Sequence, residues 1–196
     1  MFALIFGLSF LANAQDVQNN QPKGYQFTDI KRLPANSVKD QARAGTCWAW
    51  SGISFFESEM IRMGKEPIDL SAMYIVRHAY SDKATKFVRL HGNMNFAVGG
   101  AFCDVMHVIQ NYGIVPMDVY KGLNYGEPNH AFGEIDDVLA GYINAVIKNS
   151  NKKLSTAWKK GFDGILDAYL GEEPEKFEYN GKEYTPKTFA AEVVGL

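Results

Sequence analysis

Cysteine is scarce in this sequence, with only Cys47 and Cys103 among 196 residues. Disulfide-rich scaffolds need more cysteines, so the fold has to rest on a hydrophobic core, and 46% of the residues are apolar. In an oxidising compartment the two thiols could form one bridge, which would block a nucleophilic cysteine. Cys103 falls mid-helix in the sequence pattern without an electropositive neighbour, so we expect it to be a buried free thiol.

An excess of charge of one sign is also lacking. The chain has 20 basic and 22 acidic side chains and a formal charge of −2. This balance gives no reason to expect nucleic acid or an anionic membrane as a partner. There are only four histidines and no two have the spacing of metal ligands, so the sequence predicts neither a metal nor a cofactor.

A hydrophobic run long enough to cross a membrane is missing at the N-terminus. The apolar stretch 2–11 is too short for a bilayer about 30 Å thick, and it is followed by the small-x-small sequence Ala12-Asn13-Ala14. We therefore predict a signal peptide over 1–14 and a secreted or periplasmic protein that has no membrane contact once the signal is removed. The basic n-region is absent, and a buried N-terminal helix or a membrane anchor remains an alternative.

The rest of the chain divides by composition into three parts. Residues 15–27 are polar and predict a flexible lead-in. Residues 28–128 are expected to form a helical domain around Cys47, and 129–196 a set of long amphipathic helices and a hairpin.

Local signals place the ends of these elements. Helix boundaries are indicated by Gly64, Ser71, Gly113, Ser155 and Gly171, the hairpin turn by Asn180-Gly181, and a last helix by Thr185-Pro186.

The loop that leads into the first helix carries the chemistry. Cys47 is placed at the first turn, where free N–H groups and the positive end of the helix dipole favour a thiolate, the form that attacks carbonyls. Gln41 lies six residues earlier, so its amide and the Cys47 N–H can form an oxyanion hole. Gly45 lets the loop turn tightly and lets substrate approach the backbone.

The pattern Gln41-x-x-x-Gly45-x-Cys47-Trp48 resembles the active-site loop of papain-like cysteine peptidases. The usual form is Cys-Gly-Ser/Ala-Cys-Trp, and here Ala44 stands in place of its first cysteine. That departure looks like the bleomycin hydrolase and aminopeptidase C branch. Further segments resemble the same branch: 70–74, 98–102, 108–116, 169–177 and 185–189.

The resemblance implies an α+β, papain-like fold, mainly the helical left-hand domain plus a helical insertion, with the β-barrel domain largely missing. It also implies that Gly99 and Gly100 line the cleft opposite Cys47, where bare backbone pairs with an extended peptide. Trp48 would pack beside the catalytic residues. The full-length enzyme would be a peptide hydrolase able to form a homo-oligomer.

A catalytic histidine and asparagine are not evident. In the papain pattern they lie about 130–150 residues beyond the cysteine, whereas the last histidine here is His130, in a turn before a helix. We therefore expect the N-terminal portion of a secreted cysteine aminopeptidase, inactive alone because its His and Asn lie beyond residue 196.

Two alternatives stay open. One is a non-catalytic peptide-binding module or pseudoenzyme, and the other is an arrangement in which another chain supplies the second domain.

Overall fold

The computed structural model describes residues 24, 25 and 27–196. The chain divides into two units, Met1–Arg32 and Leu33–Leu196. In the first unit the described residues form no helix or strand. The predicted signal peptide lies outside the described residues, as does most of the predicted lead-in, and the division of the chain into 28–128 and 129–196 stays a prediction.

The second unit is mainly helical. Its elements are, in order, α1 (Cys47–Arg62), α2 (Ala72–Arg89), α3 (Phe102–Tyr112), α4 (Gly133–Ile147), α5 (Ala157–Leu170), β1 (Phe177–Tyr179), β2 (Lys182–Tyr184), α6 (Pro186–Phe189) and a π-helical turn, Ala190–Val194. None of the described helices is both long and apolar enough to cross a membrane.

Helix α2 forms the centre of the core. Its residues 72–80 are all buried, and it packs against α1, α3, α4 and α5. Where a helix is buried on every side, its side chains have to be apolar, or their polar groups have to bond to other parts of the protein. The polar members of this stretch are accordingly tied to other elements, Arg77 to Asp167 of α5 for example.

Most helix ends agree with the local signals. The Ser71 hydroxyl caps α2 by accepting the Tyr74 N–H at 3.0 Å. After α1, the N–H of Gly64 bonds to the Ile61 carbonyl and the N–H of Lys65 to the Met60 carbonyl, which is the Schellman pattern. One expectation is wrong. The N-cap of α5 is Thr156 and not Ser155, so the helix begins one residue later than predicted, and Thr156 makes no side-chain cap bond.

The strands form one antiparallel hairpin with Phe177 opposite Tyr184. Asn180 and Gly181 have φ angles of 50° and 75°, as a two-residue type I′ turn requires. Phe189 of α6 packs edge-on against the rings of Phe177 and Tyr184. The hairpin therefore shares the core through α6.

Candidate active site

Cys47 is the first residue of α1, and its side chain is exposed. The helix is capped by backbone alone, because the Thr46 carbonyl accepts the N–H of Ala49 at 2.9 Å. The Cys47 N–H has no protein partner in the part of the chain that the structure describes. An exposed thiol thus lies beside an unused amide at the positive end of a helix.

The preceding loop is a tight turn that carries Gln41. The Gln41 carbonyl accepts the Ala44 N–H at 3.2 Å, and Asp40 accepts the Ala42 N–H at 2.7 Å. Gly45 follows with a φ of +65°, a conformation that side chains with a Cβ rarely adopt. The turn brings Gln41 and Cys47 to the wall of one open cleft of about 420 Å³.

A distant segment fixes this loop from outside. The N–H of Arg43 donates to the His130 carbonyl at 2.9 Å, and the Phe132 N–H donates to the Arg43 carbonyl at 3.1 Å. The pairing is a short parallel bridge between Arg43 and Ala131. Sequence reasoning missed this role because such a bridge joins residues 88 positions apart and leaves no local pattern.

The structure also brings the segment 97–100, which contains Gly99 and Gly100, to α1. The Trp48 indole donates to the Val98 carbonyl at 3.0 Å, and Val98 lies against Gly45. A Cβ on Gly100 would lie 2.5 Å from the Trp48 ring, so no other residue fits there without movement. Of the six residues predicted for the site, Gln41 and Cys47 line one cleft, and Gly100 packs on Trp48 next to Cys47. Gly45 lies in the loop before α1 and Gly99 is the neighbour of Gly100, and the part that these residues play in catalysis or binding stays a prediction.

Gly99 differs from its neighbour. Nothing lies within 4 Å of a Cβ placed on it, and both glycines are exposed. Packing in the described part of the chain would therefore allow a side chain at position 99.

Comparison with protein families decides the assignment. The family described as papain family cysteine protease matches residues 22–159, more than half of the chain. The chain belongs to the papain family.

Among solved structures, the chain is similar to PepW from Lactobacillus rhamnosis HN001 (DR20), with a TM-score of 0.59 and 20% sequence identity. The match covers 84% of this chain and 45% of PepW, so this chain spans less than half of that protein's length. No curated protein matches. The likeness confirms the predicted α+β, papain-like fold, and within the described residues the strands are limited to the hairpin β1–β2.

None of the four histidines of this papain-family chain lines the cleft that contains Cys47. His78 is buried in α2, stacked on Tyr112 with ring centres 4.1 Å apart. Burial lowers the pKa of His78 to about 3, and the charges of Arg77 and Lys159 act in the same direction. His91 and His107 are exposed elsewhere, in the loop after α2 and on α3.

His130 lies beside α1, against Trp50, without lining the cleft of Cys47. Its ring contacts Trp50 edge-on at 6.1 Å, and it lines a separate cavity of about 270 Å³ with Trp50 and Asp40. Burial lowers the pKa of His130, and its Nδ1 is buried without a partner among the described residues. The backbone of His130 therefore supports the loop, while its ring does not face the cleft of Cys47.

The second thiol departs from expectation. Cys103 is free but exposed, where a buried free thiol was predicted. It lies at the second residue of α3, whose buried side is formed by Val105, Val108 and Ile109. Residues two apart lie on roughly opposite sides of a helix. Cys103 therefore lies opposite the buried Val105 and faces solvent. No group of three or more potential metal ligands occurs among the residues described.

Proposed function

We propose that this chain is the nucleophile-bearing portion of a cysteine aminopeptidase of the bleomycin hydrolase and aminopeptidase C branch. The observation that supports it most directly is an exposed Cys47 at the start of α1 sharing one cleft with Gln41. The branch motifs between Leu70 and Phe189 and the absence of the first loop cysteine add the finer assignment.

The chemistry follows from these groups. The Cys47 thiolate attacks the carbonyl carbon of a peptide bond, and the carbonyl oxygen becomes an oxyanion that accepts from the Cys47 N–H and the Gln41 amide. The C–N bond then breaks, and the amine leaves with a proton from an imidazolium. Water hydrolyses the thioester and restores the thiol.

The imidazole in this scheme comes from outside the 196 residues. His78 is held neutral in the core, and His130 lines a different cavity from Cys47. A histidine and an orienting asparagine from a second domain would complete the site, whether in the same polypeptide or in another chain. The peptide substrate would lie along Gly99 and Gly100. The complete enzyme would assemble as a homo-oligomer.

Labelling separates a reactive Cys47 from an inert one. A peptidyl epoxide, followed by digestion and mass spectrometry, is expected to modify Cys47 faster than Cys103, which serves as an internal control because both thiols are exposed. Equal rates would contradict the nucleophile. Hydrolysis of an aminoacyl fluorogenic substrate by these 196 residues alone would contradict an external imidazole.

One observation favours a second function, that of a non-catalytic peptide-binding module or pseudoenzyme. No histidine lines the cleft of Cys47 among the described residues. In this case peptides would bind with Cys47→Ala as tightly as with the original chain, and no labelling preference would be seen.

The proposed location is outside the cytoplasm, in the periplasm or the medium. Cleavage after Ala14 would leave Gln15 as the first residue, which N-terminal sequencing of the exported protein checks.

A further inference from the structure

Lys83, at the start of the fourth turn of α2, reaches across to the segment 97–100, here called the glycine segment. Its ammonium group donates to the carbonyl oxygens of Ala97, at 3.3 Å, and Gly99. The residues joined in this way lie 14 and 16 positions apart. The contact therefore links the central helix to the segment that packs on Trp48.

Lys83 and Trp48 hold consecutive carbonyls of the same segment. Trp48 occupies the Val98 carbonyl, between the two that Lys83 occupies. The Lys83 ammonium also lies 5.4 Å from the centre of the Trp48 ring and 6.0 Å from that of Tyr80, within the range of cation–π contacts. One cation thus contacts both the loop and the aromatic ring on which the loop rests.

The charge environment of Lys83 is mixed. Burial lowers the pKa of Lys83, while the carboxylates of Asp104 and Asp136 oppose that shift and Lys86 adds to it. Because the ammonium has two carbonyl acceptors and two aromatic faces near it, its loss of hydration is partly compensated.

The opposite edge of the segment is left free. Gly99 and Gly100 are exposed, and the N–H and C=O of Gly100 have no partner among the described residues. An extended peptide gains more affinity from such an edge when the backbone is already held in place, because less ordering is then needed on binding.

We propose that Lys83 is a positioning residue that fixes the Gly99–Gly100 backbone on Trp48 for pairing with an extended peptide. The proposal rests on the proposed function of Cys47. Lys83 acts on recognition of the peptide backbone and not on the reactivity of the thiol, so the two can be measured apart.

The experiment compares two reagents at Cys47, in a Cys103→Ser background so that one thiol reacts. A peptidyl epoxide reports on both backbone recognition and thiol reactivity, and iodoacetamide reports on the thiol alone. Lys83→Met is expected to lower kinact/KI for the epoxide about tenfold, mostly through KI, the size of effect that lost hydrogen bonds to a charged group produce. The iodoacetamide rate is expected to stay unchanged.

Two further variants make the outcome specific. Lys86→Met removes an exposed lysine from the same helix and is expected to change neither rate. Lys83→Arg keeps the charge and the donors and is expected to recover most of the epoxide rate. If Lys83→Met fails to fold by circular dichroism, Lys83→Gln is measured in its place; it removes the charge from a shorter polar side chain and is expected to show the same loss with the epoxide alone.

The opposing outcomes are distinct. Equal losses with both reagents, or no loss with either, would overturn the role of Lys83. If the parent protein reacts with the epoxide no faster than with iodoacetamide, relative to the rates of free cysteine, the proposed function of Cys47 fails, and the role of Lys83 fails with it.

Discussion

At the scale of single residues, the candidate site depends on amides more than on charges. The Cys47 N–H has no protein partner among the described residues, and the Gln41 side chain lines the same cleft. The buried Oε1 of Gln41 has no donor in the described part of the chain. The Cys47 N–H is fixed by the backbone of α1, and a donor that is already in place needs no reorganisation when an oxyanion forms.

Replacing Gln41 tests this arrangement. In the enzyme supplied with its catalytic imidazole, Gln41→Ala is expected to lower kcat by about 10²–10³, since one of two oxyanion donors is lost. Steady-state hydrolysis of a fluorogenic peptide measures the change. Gln110→Ala, on the exposed side of α3, is the matched control and is expected to leave kcat unaltered. A rise in KM at constant kcat would instead indicate that Gln41 binds the substrate in its ground state.

At the scale of elements, a buried carboxylate joins α1, the start of α2 and the loop that carries Gln41. Glu57 is buried on α1 and accepts the Leu70 N–H at 2.8 Å and the Lys39 ammonium at 3.0 Å. Burial lowers the pKa of Lys39, but its bonds to Asp69 and Glu57 outweigh burial and raise it overall. The cation is therefore retained, and three segments are held by one ion pair.

Removing Glu57 leaves the buried Leu70 N–H without its acceptor, while the Lys39 ammonium keeps Asp69 at 2.7 Å. Glu57→Ala is expected to lower the free energy of unfolding by about 2 kcal/mol, because a buried donor is left unpaired and Lys39 loses one of its two carboxylates. Urea unfolding checks the value. Glu59→Ala breaks an i,i+3 pair with Arg62 at the surface and is expected to cost less than about 1 kcal/mol. Similar losses for the two variants would show that the Glu57 contacts add nothing specific.

The elements also show which features a sequence can predict. Ser71, Gly113 and Asn180-Gly181 act through bonds within a few residues, so their patterns were enough to place element ends and the hairpin. The motif around Cys47 was readable for the same reason. The contacts of Lys83 with the glycine segment and of Arg43 with residues 130–132 depend on how distant segments pack, and no local pattern contains them.

The two wrong expectations have local causes. For Cys103 the sequence pattern predicts a mid-helix position, but α3 begins only one residue earlier, and its buried side is set by Val105 and Val108. For α5, both Ser155 and Thr156 are residue types that favour a cap, and the sequence does not say which one takes the N-cap position.

At the scale of the whole molecule, polar groups on the central helix connect it to the helices around it. Arg77 pairs with Asp167 of α5 and with Glu173 beyond that helix, and the Tyr80 hydroxyl donates to Asp136 of α4. Removing one partner of such a buried polar pair lowers stability by more than the intact pair contributes to it. We therefore expect the stability of the packing of α2 against α4 and α5 to depend on the protonation of the side chains buried there.

His78 makes this response measurable. Its side chain is 5% exposed, between the rings of Tyr74 and Tyr112 and near Arg77 and Lys159, with Nδ1 3.7 Å from a Glu173 oxygen. Its pKa is about 3 in the folded protein and 6.5 in an unfolded chain, because burial disfavours the cation. Between these values the unfolded state binds the extra proton, so stability falls as the pH drops below 6.5.

The expected loss between pH 7.5 and pH 5 is about 2 kcal/mol from this group alone. The raised pKa of Asp136, caused by burial, contributes with the opposite sign at lower pH, so variants are compared with the parent protein. In urea unfolding at both pH values, His78→Gln is expected to remove about 2 kcal/mol of the pH-dependent difference. His91→Gln, at an exposed histidine in the loop after α2, is expected to retain it. A His78→Gln variant with the parent's full pH dependence would mean that the folded core accepts the His78 proton, and that the packing around α2 is looser than its contacts indicate.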